Sequence, residues 1–129
     1  MANDAEDLEQ AAQWLDRYPN LSLELASRIA ELGRQPYTAR RFLTKYRERV
    51  LFGTDGPWPE ERFALYLRFL ESDDEYFPYS ERAFPPQGFW RIYGVFLDDE
   101  TLRDLYYRNA RRLFPAIADR VDEEGDFRR

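Results

Sequence analysis

Between Leu8 and Leu15 the apolar residues Leu8, Ala11, Ala12 and Leu15 recur at intervals of three and four. That spacing predicts an amphipathic helix over 5–17. Asp4 is expected to cap it, with Glu6 and Asp7 acidic in its first turn. Tyr18-Pro19-Asn20 ends it. The period then changes to two. Leu21, Leu23 and Leu25 alternate with Ser22, Glu24 and Ala26, which predicts a strand over 21–26 with its leucines on one face. Ser27 to Leu32 suits a short helical turn closed by Gly33. Pro36 suits the first position of a further helix, with Ala39, Phe42, Leu43 and Tyr46 as its buried stripe. A second strand is expected over 50–54, and Pro59 opens a helix with Phe63, Tyr66, Leu67 and Leu70 on one side.

From Ser72 to Gly88 the periodicity disappears. Acidic residues, prolines and aromatics alternate without a pattern, which reads as an extended but packed excursion, since structureless loops of this length are uncommon inside a domain. Phe89 to Leu97 suits a short extended piece. Asp98 or Asp99 caps a last helix with Leu102, Leu105, Tyr106, Ala110 and Leu113 inward. Residues 1–118 are expected to form one partial domain, and the charged stretch 119–129 a frayed tail. Strands alternating with helices imply an α/β fold with parallel pairing and right-handed crossovers. Two strands make a marginal sheet, and each carries polar or tiny residues on one face, so the chain reads as part of a larger sheet.

An aromatic share of 17% marks a chain built to pack rather than stay disordered. The net charge of −6 argues against a nucleic-acid partner, which needs a phosphate-neutralising surface, and against anionic membranes. No apolar run is long enough to span a bilayer, and the acidic N-terminus is unlike a signal peptide, so a cytoplasmic location is expected. With 0 cysteines and 0 histidines, disulfides, thiolate sites and Ser-His or Cys-His catalytic pairs are excluded.

Candidate chemistry concentrates at Val50-Leu51-Phe52-Gly53-Thr54-Asp55-Gly56-Pro57. A buried strand ends in small residues, an aspartate and a Gly-Pro break, which delivers one carboxylate to the end of a sheet where parallel α/β proteins keep their chemistry. Leu51 to Asp55 with Pro57 resembles the last barrel strand of amidohydrolase-related metal-dependent hydrolases. Trp14 to Leu21 is similar to that family's passage from helix into strand seven, and Ser27-Arg28 to the residues just after it. Tyr106-Tyr107-Arg108-Asn109-Ala110 with Leu113-Phe114 resembles the closing helix. The resemblance runs from Asp4 to about Pro115. It implies a TIM (β/α)8 barrel of which this chain is a C-terminal fragment, two parallel strands with flanking helices. It also implies a divalent metal, zinc or manganese, held by histidines from other strands, with Asp55 as metal ligand and as general base toward water at the metal. Some relatives catalyse non-oxidative decarboxylation on the same scaffold.

Each candidate has two readings. Asp55 is either that base and ligand or a turn aspartate before Gly56-Pro57. Glu24, on the strand face that would look into a barrel, either binds substrate or pairs with an arginine. Arg28 either holds a substrate carboxylate or forms a surface salt bridge. Trp58 either walls a pocket or staples the following helix. The aromatics Phe84, Phe89, Trp90, Tyr93 and Phe96 either line an apolar pocket or, as dense aromatics usually do, form core. Arg40-Arg41 and Arg111-Arg112 read as solvated helix surface. An aspartyl-phosphate site at Asp55 lacks the second acid nearby, and no phosphate loop or nucleophile elbow occurs.

The expected function is therefore the C-terminal part of a metal-dependent hydrolase acting on a small-molecule substrate. Alone it is expected to be inactive and to bind no metal, because a catalytic metal needs more protein ligands than Asp55 offers. A different class of reading makes it a non-catalytic partner whose exposed strand edges dock onto a complementing chain or a second copy. A third makes it an independent α/β binding domain using its aromatic excursion.

Overall fold

The computed structural model describes Met1, residues 4–56 and residues 59–120, with backbone alone at Ile117. Its elements run α1 (Leu8–Arg17), β1 (Leu23–Glu24), α2 (Ile29–Leu32), α3 (Pro36–Lys45), a 3-10 turn (Arg47–Arg49), β2 (Val50–Leu51) and α4 (Glu60–Glu71). Then come β3 (Phe77–Pro78), β4 (Arg91–Ile92), α5 (Asp99–Arg103), a π turn (Asp104–Arg108), α6 (Asn109–Leu113) and α7 (Pro115–Ala118). Trp58, Pro57 and residues 121–129 of the expected tail lie outside the described residues. No helix among the described residues is long and apolar enough to cross a membrane.

β1 and β2 pair in parallel, Leu23 opposite Val50 and Glu24 opposite Leu51. Both strands are shorter than the alternation predicts, because other groups capture their ladder partners. Arg49 donates to the carbonyls of Leu21 (2.8 Å) and Tyr18 (2.7 Å). The Phe52 N–H turns away from β1 and donates to Leu105 O in the closing helix at 3.0 Å. The apolar face of the pair, Leu23, Leu25 and Val50, is buried in one core with Leu8, Ala11 and Leu15 of α1 and Ala39, Phe42 and Leu43 of α3. Those stripes are the expected ones. The cap of α1 is Asp7, which accepts from Gln10 N at 3.0 Å, and not Asp4.

The excursion has its own small sheet, which corrects the expectation of two parallel strands alone. β3 and β4 pair antiparallel, Phe77 opposite Ile92 and Pro78 opposite Arg91. Beyond β4 the chain runs along the C-terminal end of α4 and supplies the donors that a helix end lacks. Val95 N donates to Phe69 O at 2.8 Å, Leu97 N to Leu70 O at 2.9 Å and Phe96 N to Ser72 O at 3.1 Å. Gly94 is required there: a Cβ would run into the Ser72 carbonyl. The buried stripe of α4 is Tyr66, Phe69 and Leu70, while Phe63 and Leu67 lie outside, contrary to the pattern read from sequence. Phe77, Tyr79, Ile92 and Val95 take the core places in the excursion. Phe84, Phe89 and Phe96 are therefore left exposed rather than forming core, with Trp90 and Tyr93 half-buried.

The closing helix is continuous in backbone from α5 to α6 but contains the π turn. The Asn109 N–H reaches back five residues to Asp104 O, and Leu105 O serves Phe52 instead. Asn109 is fully buried and donates to Arg47 O and Val50 O, at 2.6 Å each. Arg112 donates to its side-chain oxygen. Asp104 pairs with Arg47 at 3.3 Å and Arg108 at 3.6 Å. Leu113, expected inward, is exposed.

Asn109→Ala is expected to lower unfolding stability by about 2–3 kcal/mol, since a buried and a part-buried carbonyl lose their donor. Urea unfolding measures this, and a loss below about 0.5 kcal/mol would contradict the lock. Asp98 caps α5 by accepting from Thr101 N at 2.9 Å, and that bond holds its carboxyl below the ordinary carboxylate value. The contribution of a depressed carboxylate is complete above the unfolded value of about 4 and fades as pH falls through the lower folded value. Asp98→Ala should cost about 1 kcal/mol at neutral pH, most of it from the cap because solvent screens the charge. Asp98→Asn should retain the cap and remove the acid-dependent part, read by melting from pH 7 to pH 3.

Candidate functional site

Two backbone positions bend the chain at the same end of the parallel pair. Ser27 follows β1 with φ +57° and Asp55 follows β2 with φ +65°. Left-handed backbone is tolerated by aspartate far better than by bulky residues, because its short side chain relieves the clash locally. The two turns bring the side chains together, and Ser27 Oγ donates to Asp55 Oδ2 at 3.0 Å. Asp55 remains exposed, and one carboxylate oxygen is left for water or a ligand.

Tyr66 of α4 stands behind this pair. Its hydroxyl oxygen accepts from Ser27 N at 3.0 Å. Burial raises the Tyr66 phenol above its ordinary value, and the charges of Asp55 and Glu31 add to the rise. The group therefore keeps its proton throughout the neutral range and is a donor beside a carboxylate acceptor. A hollow of about 200 Å³ opens here, lined by Ser27, Arg62, Leu65, Tyr66, Tyr79 and Gln87 among others. It continues past Arg62, Leu65, Tyr79 and Ser80 into a groove of about 480 Å³ that ends near Arg82.

Glu24 is exposed, and its side chain lies across Gly53, where a Cβ would collide with the carboxyl group. The Glu24 backbone carbonyl accepts from the Met1 ammonium at 2.7 Å. Burial lowers the ammonium below its ordinary value, Arg28 adding to the effect. Arg28 pairs with Glu31 at 3.3 Å. Glu31 Oε1 also accepts from Gln87 at 2.7 Å, and its Oε2 is buried without a hydrogen-bond partner. Thus Asp55 and Ser27 meet directly, and Glu24 and Arg28 flank them on β1 and at the start of α2. Trp58 is outside the described residues.

Ser27, Glu31 and Tyr66 are the members that pattern reading misses as functional. Tyr66 was legible only as a core residue at helical spacing. Nothing local marks Ser27 as the partner of a carboxylate 28 residues away. The implied divalent metal does not fit the donors present. Zinc or manganese at a catalytic site takes about three protein ligands. Asp55 has a serine hydroxyl beside it, the sequence has 0 histidines and 0 cysteines, and no three metal-competent side chains converge among the described residues.

A family model described as amidohydrolase matches residues 2–116. No curated protein and no solved structure matches significantly.

Because Asp55 occupies left-handed backbone, Asp55→Asn should change stability by less than about 0.5 kcal/mol, whereas the β-branched Asp55→Val should cost at least about 1 kcal/mol. Thermal melts of the two variants check this. Equal losses would show that the backbone at residue 55 is not constrained.

Proposed function

This chain belongs to the amidohydrolase family, and from that membership we propose that it carries the last two strand–helix units of an amidohydrolase-type barrel and contributes Asp55 to a hydrolytic site. The observation that carries the reading is the placing of Asp55. It follows the second strand of a parallel pair, with its carboxylate tethered by Ser27. That end of a parallel sheet is where such folds gather reactive groups.

In this reading the Asp55 carboxylate takes a proton from the attacking water and returns it to the leaving group of a small ester or lactone, as general base and then acid. Tyr66, neutral and adjacent, donates to a substrate oxygen. Arg28 and Glu24 orient the substrate from the other strand. The nitrogen ligands of the family's metal have no counterpart here, so the chain alone holds no metal and is catalytically silent.

The same reading gives the chain a complementing partner, a polypeptide whose strands lie beside β1 and β2 and bring the imidazoles. In support, no third strand joins the parallel pair among the described residues, and a bare strand edge is a ready template for another chain.

The purified chain with zinc or manganese is expected to show neither stoichiometric metal binding by calorimetry nor hydrolysis of esters and lactones. Turnover by the isolated chain that Asp55→Ala abolishes would overturn its silence. Supplying in trans the histidine-bearing strands of a family member should produce hydrolysis, and Asp55→Asn should then lower kcat at least about a hundredfold. Complementation that is indifferent to Asp55→Asn would refute the role given to that residue.

A further inference from the structure

The exposed aromatics left over from the core form one face on the side of the excursion. Phe84 and Phe89 are 80% and 78% exposed and pack edge to face at 6.0 Å, at the apex between β3 and β4. Their loop is held in shape by one side chain. Tyr79 Oη accepts from Gln87 N and Gly88 N at 3.0 Å each, and donates to Gly88 O at 3.0 Å. The Tyr79 ring stacks on Trp90 at 5.8 Å, and Trp90 Nε1 donates to Ala30 O at 3.0 Å. Two large apolar rings are thus offered to solvent on a loop already ordered, so little further entropy is lost when they are covered.

Beside this knob lies a recess. A groove of about 660 Å³ is lined by Tyr37, Tyr93 and Phe96 with Arg40, Asp73 and Glu75 among its walls. Tyr37 is 81% exposed and Phe96 49%. A smaller hollow of about 270 Å³, lined by Tyr76, Arg82, Phe89 and Arg91 among others, adjoins the knob. The Tyr76 and Tyr93 rings, 6.4 Å apart, connect the two. Large exposed apolar patches rimmed by polar residues mark interaction sites.

The groove carries Arg34 and Arg40 beside Asp73 and Glu75, and the knob side carries Arg82 and Arg91. Among the described residues Asp73 and Glu75, on the groove, form no ion pair, and neither do Arg82 and Arg91, beside the knob. Arg34, Arg40 and Arg91 lie over Trp90, Phe96 and Tyr76, at 4.7 Å, 5.5 Å and 6.0 Å. We propose that this face pairs with the same face of a second copy, the Phe84–Phe89 knob of each chain seating in the Tyr37–Tyr93–Phe96 groove of the other. A two-fold axis near Tyr76 and Tyr93 sets Asp73 and Glu75 of one copy against Arg82 and Arg91 of its mate, and both contacts form at once. A foreign apolar groove would engage the knob and leave the acids unanswered. Self-complementarity is what selects a second copy. Tyr79, which shapes the loop of the knob, also walls the hollow beside Tyr66, but no residue of this face is given a catalytic role, so the pairing does not depend on the hydrolase reading.

Sedimentation equilibrium of the full chain up to about 100 µM, a range that captures weak contacts, should show a monomer–dimer equilibrium. Phe84→Ser with Phe89→Ser should weaken it at least about thirtyfold, as loss of central anchors does, with circular dichroism and melting unchanged. Asp73→Arg with Glu75→Arg, and separately Arg82→Glu with Arg91→Glu, should each be monomeric, and a mixture of the two should dimerise again. A chain monomeric throughout the range would overturn the proposal. So would a dimer that survives loss of the two phenylalanines, which would point to the strand edges, or charge-swapped chains that fail to pair.

Discussion

The side-chain amide of Asn109 fastens the closing helix to the carbonyls of Arg47 and Val50, at the entry to β2. A ladder of two residue pairs has little strength of its own, and so short a sheet needs other elements to hold it. Three groups of the closing helix do so: the amide, the Leu105 carbonyl that receives Phe52 N–H, and the Asp104 carboxylate paired with Arg47. All are buried or nearly so. In a low-dielectric interior an unanswered polar group is costly, which makes the arrangement specific as well as strong. Because the lock acts at the start of β2, it also fixes where that strand ends, and hence where Asp55 begins.

The remaining elements answer the same accounting of backbone groups. The segment after β4 covers the last carbonyls of α4, and α4 in turn presents Tyr66 to Ser27. The excursion is therefore part of what holds the site. It fixes the C-terminal end of the helix whose middle supplies the phenol, and its Tyr79 forms a wall of the hollow beside it.

Helices with clean apolar stripes were legible from sequence. Leu8, Ala11 and Leu15 of α1 and Ala39, Phe42 and Leu43 of α3 are buried as their spacing requires. So was the parallel pairing of the two strands, and the strand-end location of Asp55. Strand length was not, because Leu21 O and Phe52 N are claimed by a side chain and a helix distant in sequence. β3 was hidden for a related reason: a two-residue strand containing a proline has no period to detect. The dense aromatics misled because hydrophobicity does not say which rings win the core, and Phe77 and Tyr79 did so ahead of Phe84 and Phe89. At the site the carboxylate was visible, whereas its serine and tyrosine neighbours exist only through tertiary contact.

The π turn at Asp104–Arg108 amounts to one residue more than an α-helix would need for the same rise. Deleting it would make the helix regular and improve its internal bonding. It would also swing everything downstream by about 100°, carrying Asn109 off the strand it grips. The irregular turn is thus the price at which a helix and a strand are kept in phase, and a lineage descended from this chain is held to the number of residues in the turn as firmly as to the buried side chains it carries.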